Sequence, residues 1–147
     1  MPNGTFARPA RRASNRFQTM NQSTAFATIV AEADAQNRGD AAVIATDSTG
    51  IIVYWNAHAE SLYGWRSDEA IGRNVVDVTP TRSSSDEADR IMEELRQGHE
   101  WHGRFIVRRR DGTPLVADVT DVPVRQSGTV IGIIGISRRA DTEDSTD

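Results

Sequence analysis

The chain has 147 residues, no cysteine and a formal net charge of -4, and 37% of its residues are hydrophobic. A chain of this length forms one domain around a single core, and no apolar run is long enough to cross a bilayer. Because the sequence contains neither cysteine nor lysine, it excludes disulfides, thiolate nucleophiles, cysteine-ligated metals and Schiff-base chemistry.

The two ends of the chain carry opposite charges. Residues 1–22 contain four arginines and no acid, whereas residues 140–147 contain four acids and no base. An arginine-rich arm could touch nucleic acid or anionic lipid, but arginines among small polar residues are more typical of a solvated, disordered segment. We therefore expect a disordered arm and an acidic tail, and neither nucleic acid nor a membrane as a partner. Because the start lacks the apolar core of a secretory signal, we also expect a cytoplasmic protein.

An amphipathic helix is predicted over residues 23–39. Its apolar side chains recur at i, i+3, i+4 and i+7, which places them on one helix face: Phe26, Ile29, Val30 and Ala33. This stripe needs a partner, and two remain open: the outer face of the chain's own sheet, or the same helix of a second subunit.

A β-hairpin and three short helical turns are predicted next. Two β-branched runs, residues 42–46 and 51–55, flank a turn that ends at Gly50. Asn56 is expected to cap a short helix that stops at Gly64. Residues 67–70 and 72–79 predict two further turns of helix, the first capped by its own first residue, a serine.

A longer helix is predicted from Ser84 to Gly98. Its start has the capping-box pattern Ser84-x-x-Glu87, with further acids in the first turn. One apolar stripe follows at i, i+3, i+4 and i+7: Ala88, Ile91, Met92 and Leu95. The stripe is typical of ordinary core packing, and part of it could also line a cavity.

The last third of the chain predicts three strands, at residues 101–109, 115–124 and 130–137. The first alternates between apolar and polar residues, so it has one buried face. The second has two faces, with Ala117, Val119 and Asp121 on the same one. The third is almost continuously apolar like an interior strand. Five antiparallel strands with helices between the second and third predict an α+β fold. The pattern does not fix the order of the strands.

Five separated motifs resemble those of the PAS sensor family. They are Ile52–Trp65, Glu69–Arg73, Glu100–Phe105, Arg109–Pro114 and Ile133–Ser137. The resemblance covers residues 40–139, and it implies a five-stranded antiparallel sheet in the order 2-1-5-4-3, with helices across one face. It also implies a surface ion pair between Glu69 and an arginine of the segment 108–110.

The resemblance further implies a non-enzymatic sensor that binds a small, mainly apolar ligand and signals through dimer or partner contacts. A homodimer is expected, with the stripe of the leading helix at its contact, and an unidentified signalling protein as partner. The implied ligand pocket is lined by Val76, Val78, Ile91, Met92, Leu95, Phe105, Val107, Ala117, Val119, Asp121, Ile133 and Gly135. The alternative is a constitutive interaction module with a packed core. The chain is either naturally short or a fragment of a kinase, cyclase or other regulator.

The cofactors of the family fit this sequence poorly. Cysteinyl flavin photochemistry is excluded, since the sequence has no cysteine, and residues 84–98 lack the histidine that ligates haem in the family. Val107 and Ala117 stand where flavin-binding relatives offer amide side chains, which argues against flavin, so a flavin or haem redox sensor is the weakest alternative. His99 and His102 lack the spacing of a helical metal motif, and we expect no metal site.

Overall fold

The computed structural model describes residues 24–81 and 85–140. The predicted arm (residues 1–22), the acidic residues of the tail and the capping serine at position 84 lie outside these ranges. Helix α1 covers residues 24–36. The later elements are β1 (Ala42–Asp47), β2 (Ile52–Trp55), α2 (Ala57–Tyr63), α3 (Ser67–Ala70), α4 (Val75–Val78), α5 (Ser85–Arg96), β3 (Trp101–Arg108), β4 (Pro114–Gln126) and β5 (Thr129–Arg139).

All strand pairs are antiparallel, and the sheet order is β2-β1-β5-β4-β3. The α+β fold and the implied strand order are therefore confirmed. The two longest strands, β4 and β5, form a hairpin closed by Ser127 and Gly128, which both have positive φ as a type I′ two-residue turn requires. Strand β5 lies at the centre, between β1 and β4, so both faces of the fold depend on its side chains.

The sheet buries apolar residues on both faces. On one face, helices α2, α3 and α4 cover a core that includes Ile44, Trp55 and Leu115. On the opposite face, α1 contributes Ile29 and Ala33 to a second buried cluster. Period-2 alternation along β1 explains the division, because neighbouring residues point to opposite faces of the sheet.

Helix α1 packs on the chain's own sheet. Ile29 and Ala33 are fully buried against residues such as Val43 and Ile134. Phe26, from the same predicted stripe, is 50% exposed. The sheet-covering role was one of the two alternatives for this helix. The homodimer stays a prediction, with Phe26 as a large apolar side chain that α1 leaves in solvent.

Asn56 fixes the start of α2 as predicted. Its Oδ1 accepts hydrogen bonds from the backbone N–H of Ala59 and of Val43, each at 2.9 Å, and its Nδ2 donates to the carbonyl of Ala41 at 3.0 Å. The helix ends at Gly64, whose φ of 83° is the left-handed conformation that favours glycine. Asn56 therefore joins α2 to β1 in addition to capping the helix.

The prediction that Ser67 caps α3 is wrong. Arg66 occupies the N-cap position, and its backbone N–H donates to Glu69 Oε1 at 3.0 Å. The Ser67 N–H instead donates to Glu60 Oε2 at 2.7 Å, so a carboxylate from α2 satisfies this helix start. The expected ion pair is confirmed, since Arg110 Nη1 lies 2.6 Å from Glu69 Oε1.

Candidate functional site

A cavity of about 270 Å³ lies between helices α4 and α5 and the sheet face that they cover. Most of the residues that were expected to form a pocket surround it. The ten that line the cavity are Val76, Ile91, Met92, Leu95, Phe105, Val107, Val119, Asp121, Ile133 and Gly135.

Two of the expected pocket residues, Val78 and Ala117, do not line the cavity. Both belong to the core beneath the helices, with exposed fractions of 1% and 0%. Val78 ends the single turn of α4 and packs inward, and the methyl group of Ala117 is covered by its core neighbours.

Seven further residues, which the pocket prediction missed, also line the cavity. They are Ile44, Thr46, Tyr63, Val75, Thr79, Thr81 and Ser137. Two local signals were available: Ile44 and Thr46 alternate along β1, and Ser137 lies two residues beyond Gly135, so each pair shares one face of its strand. No local pattern indicates Tyr63, because its position depends on how α2 packs across the sheet.

Asp121 is the acidic group of the cavity. Strand alternation gives it the same face of β4 as Val119, and the strand register sets it opposite Gly135 of β5. A Cβ on Gly135 would lie 3.1 Å from Asp121 Oδ1, so the glycine provides the room beside the carboxyl group. Asp121 keeps an intermediate exposure because it borders the cavity.

The carboxyl group of Asp121 has no partner in residues 24–81 and 85–140. Neither a hydrogen bond nor an ion pair reaches it there, and burial alone raises the pKa of Asp121 to about 7. A buried carboxylate is normally paired or hydrogen-bonded, since removing the charge from water is otherwise costly. An unpartnered acid in a mainly apolar cavity is therefore the most distinctive chemical feature of the site.

A buried pair of hydroxyl groups lies near Asp121. Tyr63 Oη and Ser137 Oγ are 2.8 Å apart, and both residues are 3% exposed. Burial raises the pKa of Tyr63, and the charge of Asp121 raises it further, while the hydrogen bond to Ser137 opposes the change. Tyr63 is therefore a neutral phenol that can donate or accept one hydrogen bond beside the acid.

Apart from three threonines, the remaining wall of the cavity is apolar. Helix α5 contributes Ile91, Met92 and Leu95, and Phe105 enters from β3, where its ring stacks on Trp101 with 5.1 Å between centroids. The residues described around the cavity include no arginine, histidine, asparagine or glutamine. Its described residues therefore offer an acid, hydroxyl groups and apolar surface, and no cationic side chain to hold an anion.

The histidines that bracket Glu100 do not come together. His99 Nδ1 lies 3.0 Å from Glu94 Oε1, and His102 Nε2 lies 2.7 Å from Asp118 Oδ1. The part of the chain that the structure describes has no cluster of three or more side chains suited to hold a metal. Each histidine has instead its own carboxylate neighbour at the surface.

Comparison with known proteins gives one family and several relatives. The family model of the PAS fold matches residues 33–140, which include the last turn of α1. Phototropin-1A of Oryza sativa subsp. japonica is 28% identical over 146 residues, a match that covers 92% of this chain and 16% of that protein. The chain thus spans about a sixth of the length of this curated relative.

Solved structures agree with this match. The PAS domain of a protein from Colwellia psychrerythraea is 27% identical, with a TM-score of 0.57 over 69% of this chain and 87% of that chain. A light-oxygen-voltage domain studied with a flavin analogue has a TM-score of 0.67 over 82% of this chain and 92% of that chain. At 17% identity, the second likeness shows the fold alone.

Proposed function

The chain belongs to the PAS family, and from that premise we propose that it is a non-enzymatic sensor domain whose cavity takes up a small, mainly apolar molecule. The observation that carries this proposal is the cavity of about 270 Å³ between α5 and the sheet. At ~30 Å³ per water molecule, this is the volume of about nine waters. It is slightly below the range of typical ligand pockets, which favours a ligand of about ten non-hydrogen atoms.

Strand β5 offers a route from the cavity to the opposite face of the sheet. Ile133 and Gly135 line the cavity, whereas Gly132 and Ile134 face α1. A Cβ on Gly132 would lie 2.7 Å from Ile29 Cδ1, so α1 rests closely on this strand. A ligand that shifts β5 would therefore change the position of α1 on the sheet. We propose that α1 transmits the signal to a second copy or to a signalling partner.

Flavin and haem fit the cavity poorly. The whole sequence has no cysteine, and the residues described around the cavity provide neither a side-chain amide for a flavin ring nor a histidine for haem iron. A light-oxygen-voltage relative was studied with a flavin analogue. For this chain we propose a ligand other than flavin or haem, and a purified protein without visible absorbance is the expected result.

The alternative function is a constitutive interaction module. The half-exposed ring of Phe26 on α1 favours it, because an exposed aromatic side chain can anchor a protein contact without any ligand. In this case filling the cavity would leave the partner contacts unchanged. The two functions differ in whether occupancy of the cavity alters the assembly.

The partner and location of the protein belong to the same proposal. We propose a cytoplasmic homodimer that acts on a separate signalling protein and binds neither nucleic acid nor membrane. Across the described ranges, no helix combines the length and apolar character needed to cross a membrane.

The test of the sensor function is to fill the cavity from α5. Met92 is partly buried and lines the cavity, so Met92→Trp should block ligand uptake while the protein stays folded. The readout is native mass spectrometry of protein from its own host, followed by thermal shift with a panel of small metabolites. Glu93→Trp is the matched control, because Glu93 is exposed on the same helix. A protein that carries and binds none of these compounds would contradict the sensor and favour the interaction module.

A further inference from the structure

The unpartnered carboxyl group of Asp121 limits the chemistry of any ligand that fills the cavity. A ligand that covers Asp121 removes the remaining water from the acid, so a ligand that binds while Asp121 is ionised must offer it a hydrogen-bond donor or a positive charge. The cavity residues that the structure describes supply no cation of their own. Since no described residue of the lining compensates the charge of Asp121, we expect the compensation to come from the ligand.

An ammonium group satisfies this requirement most completely. It carries three N–H donors and one positive charge, and hydrogen bonds between charged groups are about twice as strong as neutral ones. Asp121 can accept one or two of these bonds, and the hydroxyl oxygens of Tyr63 and Ser137 can accept another. The space beside Gly135, which has no Cβ, lets the group approach Asp121 Oδ1.

The apolar part of such a ligand also has a matching surface. The three α5 residues and Phe105 that line the cavity form a hydrocarbon wall. A carboxylate or phosphate ligand is disfavoured, because its charge would meet that of Asp121 with no described arginine or histidine in the lining to offset it.

We propose that the cavity is a receptor site for a small apolar primary amine, whose ammonium group pairs with Asp121 and whose hydrocarbon body packs against α5 and Phe105. The proposal rests on the sensor function proposed above and names the chemical class of its ligand. It makes Asp121 the residue that determines specificity, while the apolar wall provides most of the contact area.

The experiment compares three compounds of about ten non-hydrogen atoms that differ in one group: 2-phenylethylamine, 2-phenylethanol and phenylacetate. Each is titrated into the full chain by calorimetry at pH 8, where both the amine and Asp121 are charged. We expect the amine to bind about tenfold more tightly than the alcohol, since a hydrogen bond to a charged group is worth roughly 1.4 kcal/mol more than a neutral one. Phenylacetate should bind more weakly than either.

Asp121→Asn is the decisive variant, because it keeps the shape of the side chain and removes its charge. It should reduce the affinity for the amine to that for the alcohol and leave the affinity for the alcohol nearly unchanged. Asp118→Asn is the matched control, because Asp118 lies on the same strand but on the opposite face. If Asp121→Asn does not fold, the wild-type protein at pH 5 provides the same comparison, since protonation of Asp121 should also remove the preference for the amine.

The outcomes separate the two proposals. A preference for the amine that is lost in Asp121→Asn and kept in Asp118→Asn supports the amine site. Binding of the alcohol as tightly as the amine, or a preference that survives loss of the charge, overturns the amine site and leaves the sensor function standing. If none of the three compounds nor any member of the metabolite panel binds, both proposals fail.

Discussion

Asp121 of β4 pairs across the strands with Gly135 of β5, and a Cβ at position 135 would come within 3.1 Å of the Asp121 carboxyl oxygen Oδ1. The acid therefore occupies space that any side chain at position 135 would take. The one acidic side chain in the described lining therefore lies directly against the central strand of the sheet.

Gly135→Ala should weaken the binding of 2-phenylethylamine more than that of 2-phenylethanol. The new methyl group forces the carboxyl of Asp121 to move by a few tenths of an ångström, which disturbs the ammonium contact and narrows the cavity. We expect a loss of stability of about 1 kcal/mol, in the low range for overpacking. Urea unfolding and calorimetric titration measure the two effects. Equal loss of both ligands would mean that the methyl group acts on cavity volume and not on Asp121.

The stability of the protein should fall as the pH rises from about 4 to above 7. The pKa of Asp121 is about 7 in the folded chain and ordinary, near 4, in the unfolded chain. Between these values the folded state holds a proton that the unfolded state releases, so raising the pH favours unfolding. The contribution is at most about 4 kcal/mol, at 1.36 kcal/mol per pKa unit.

Asp121→Asn isolates this effect, because it has no proton to lose. Its free energy of unfolding, relative to wild type, should increase between pH 4 and pH 8, and Asp118→Asn should show no comparable trend. The other titratable group in the described cavity lining is Tyr63, whose raised pKa keeps it outside this pH range. A pH-independent difference between Asp121→Asn and wild type would show that Asp121 is ionised in the folded protein over the whole range.

Tyr63→Phe should destabilise the fold by about 1–2 kcal/mol. The change removes the partner of the Ser137 hydroxyl, which is buried and would then be unsatisfied. Tyr54→Phe is the matched control, because the Tyr54 hydroxyl bonds to Asp34 at an exposed position and its loss should cost less. Chemical denaturation of both variants gives the comparison. Equal destabilisation would indicate that water replaces Tyr63 at Ser137.

Phe26→Ser should weaken the proposed homodimer without unfolding the domain. Phe26 is half exposed on α1, whereas Ile29 on the same helix is fully buried against the sheet. If the ring anchors the contact, the dimer dissociation constant should rise at least about tenfold in sedimentation experiments, with little change in the unfolding midpoint. Ile29→Ser should instead lower the unfolding midpoint. A wild-type protein that sediments as a monomer at high concentration would refute the dimer.

The sequence alone determined the elements and much of the cavity, because these depend on local spacing. Asn56 and Gly64 mark the ends of α2 through side-chain and backbone preferences that act within a few residues. Period-2 alternation along β4 was enough to give Asp121 the same face as Val119. The strand order came from the resemblance to the family, since a strand's own pattern does not name its neighbours.

Only the tertiary structure decided which groups meet. The hydrogen bond between Tyr63 and Ser137 joins residues 74 positions apart, and no local pattern encodes that pairing. Val78 and Ala117 had the apolar character of a pocket wall, yet both pack in the core beneath the helices and do not line the cavity. The lack of a partner for Asp121 in the described chain is also a tertiary property, since it depends on every element that borders the cavity. The sequence thus determined the face on which each side chain lies, and packing decided which groups it contacts.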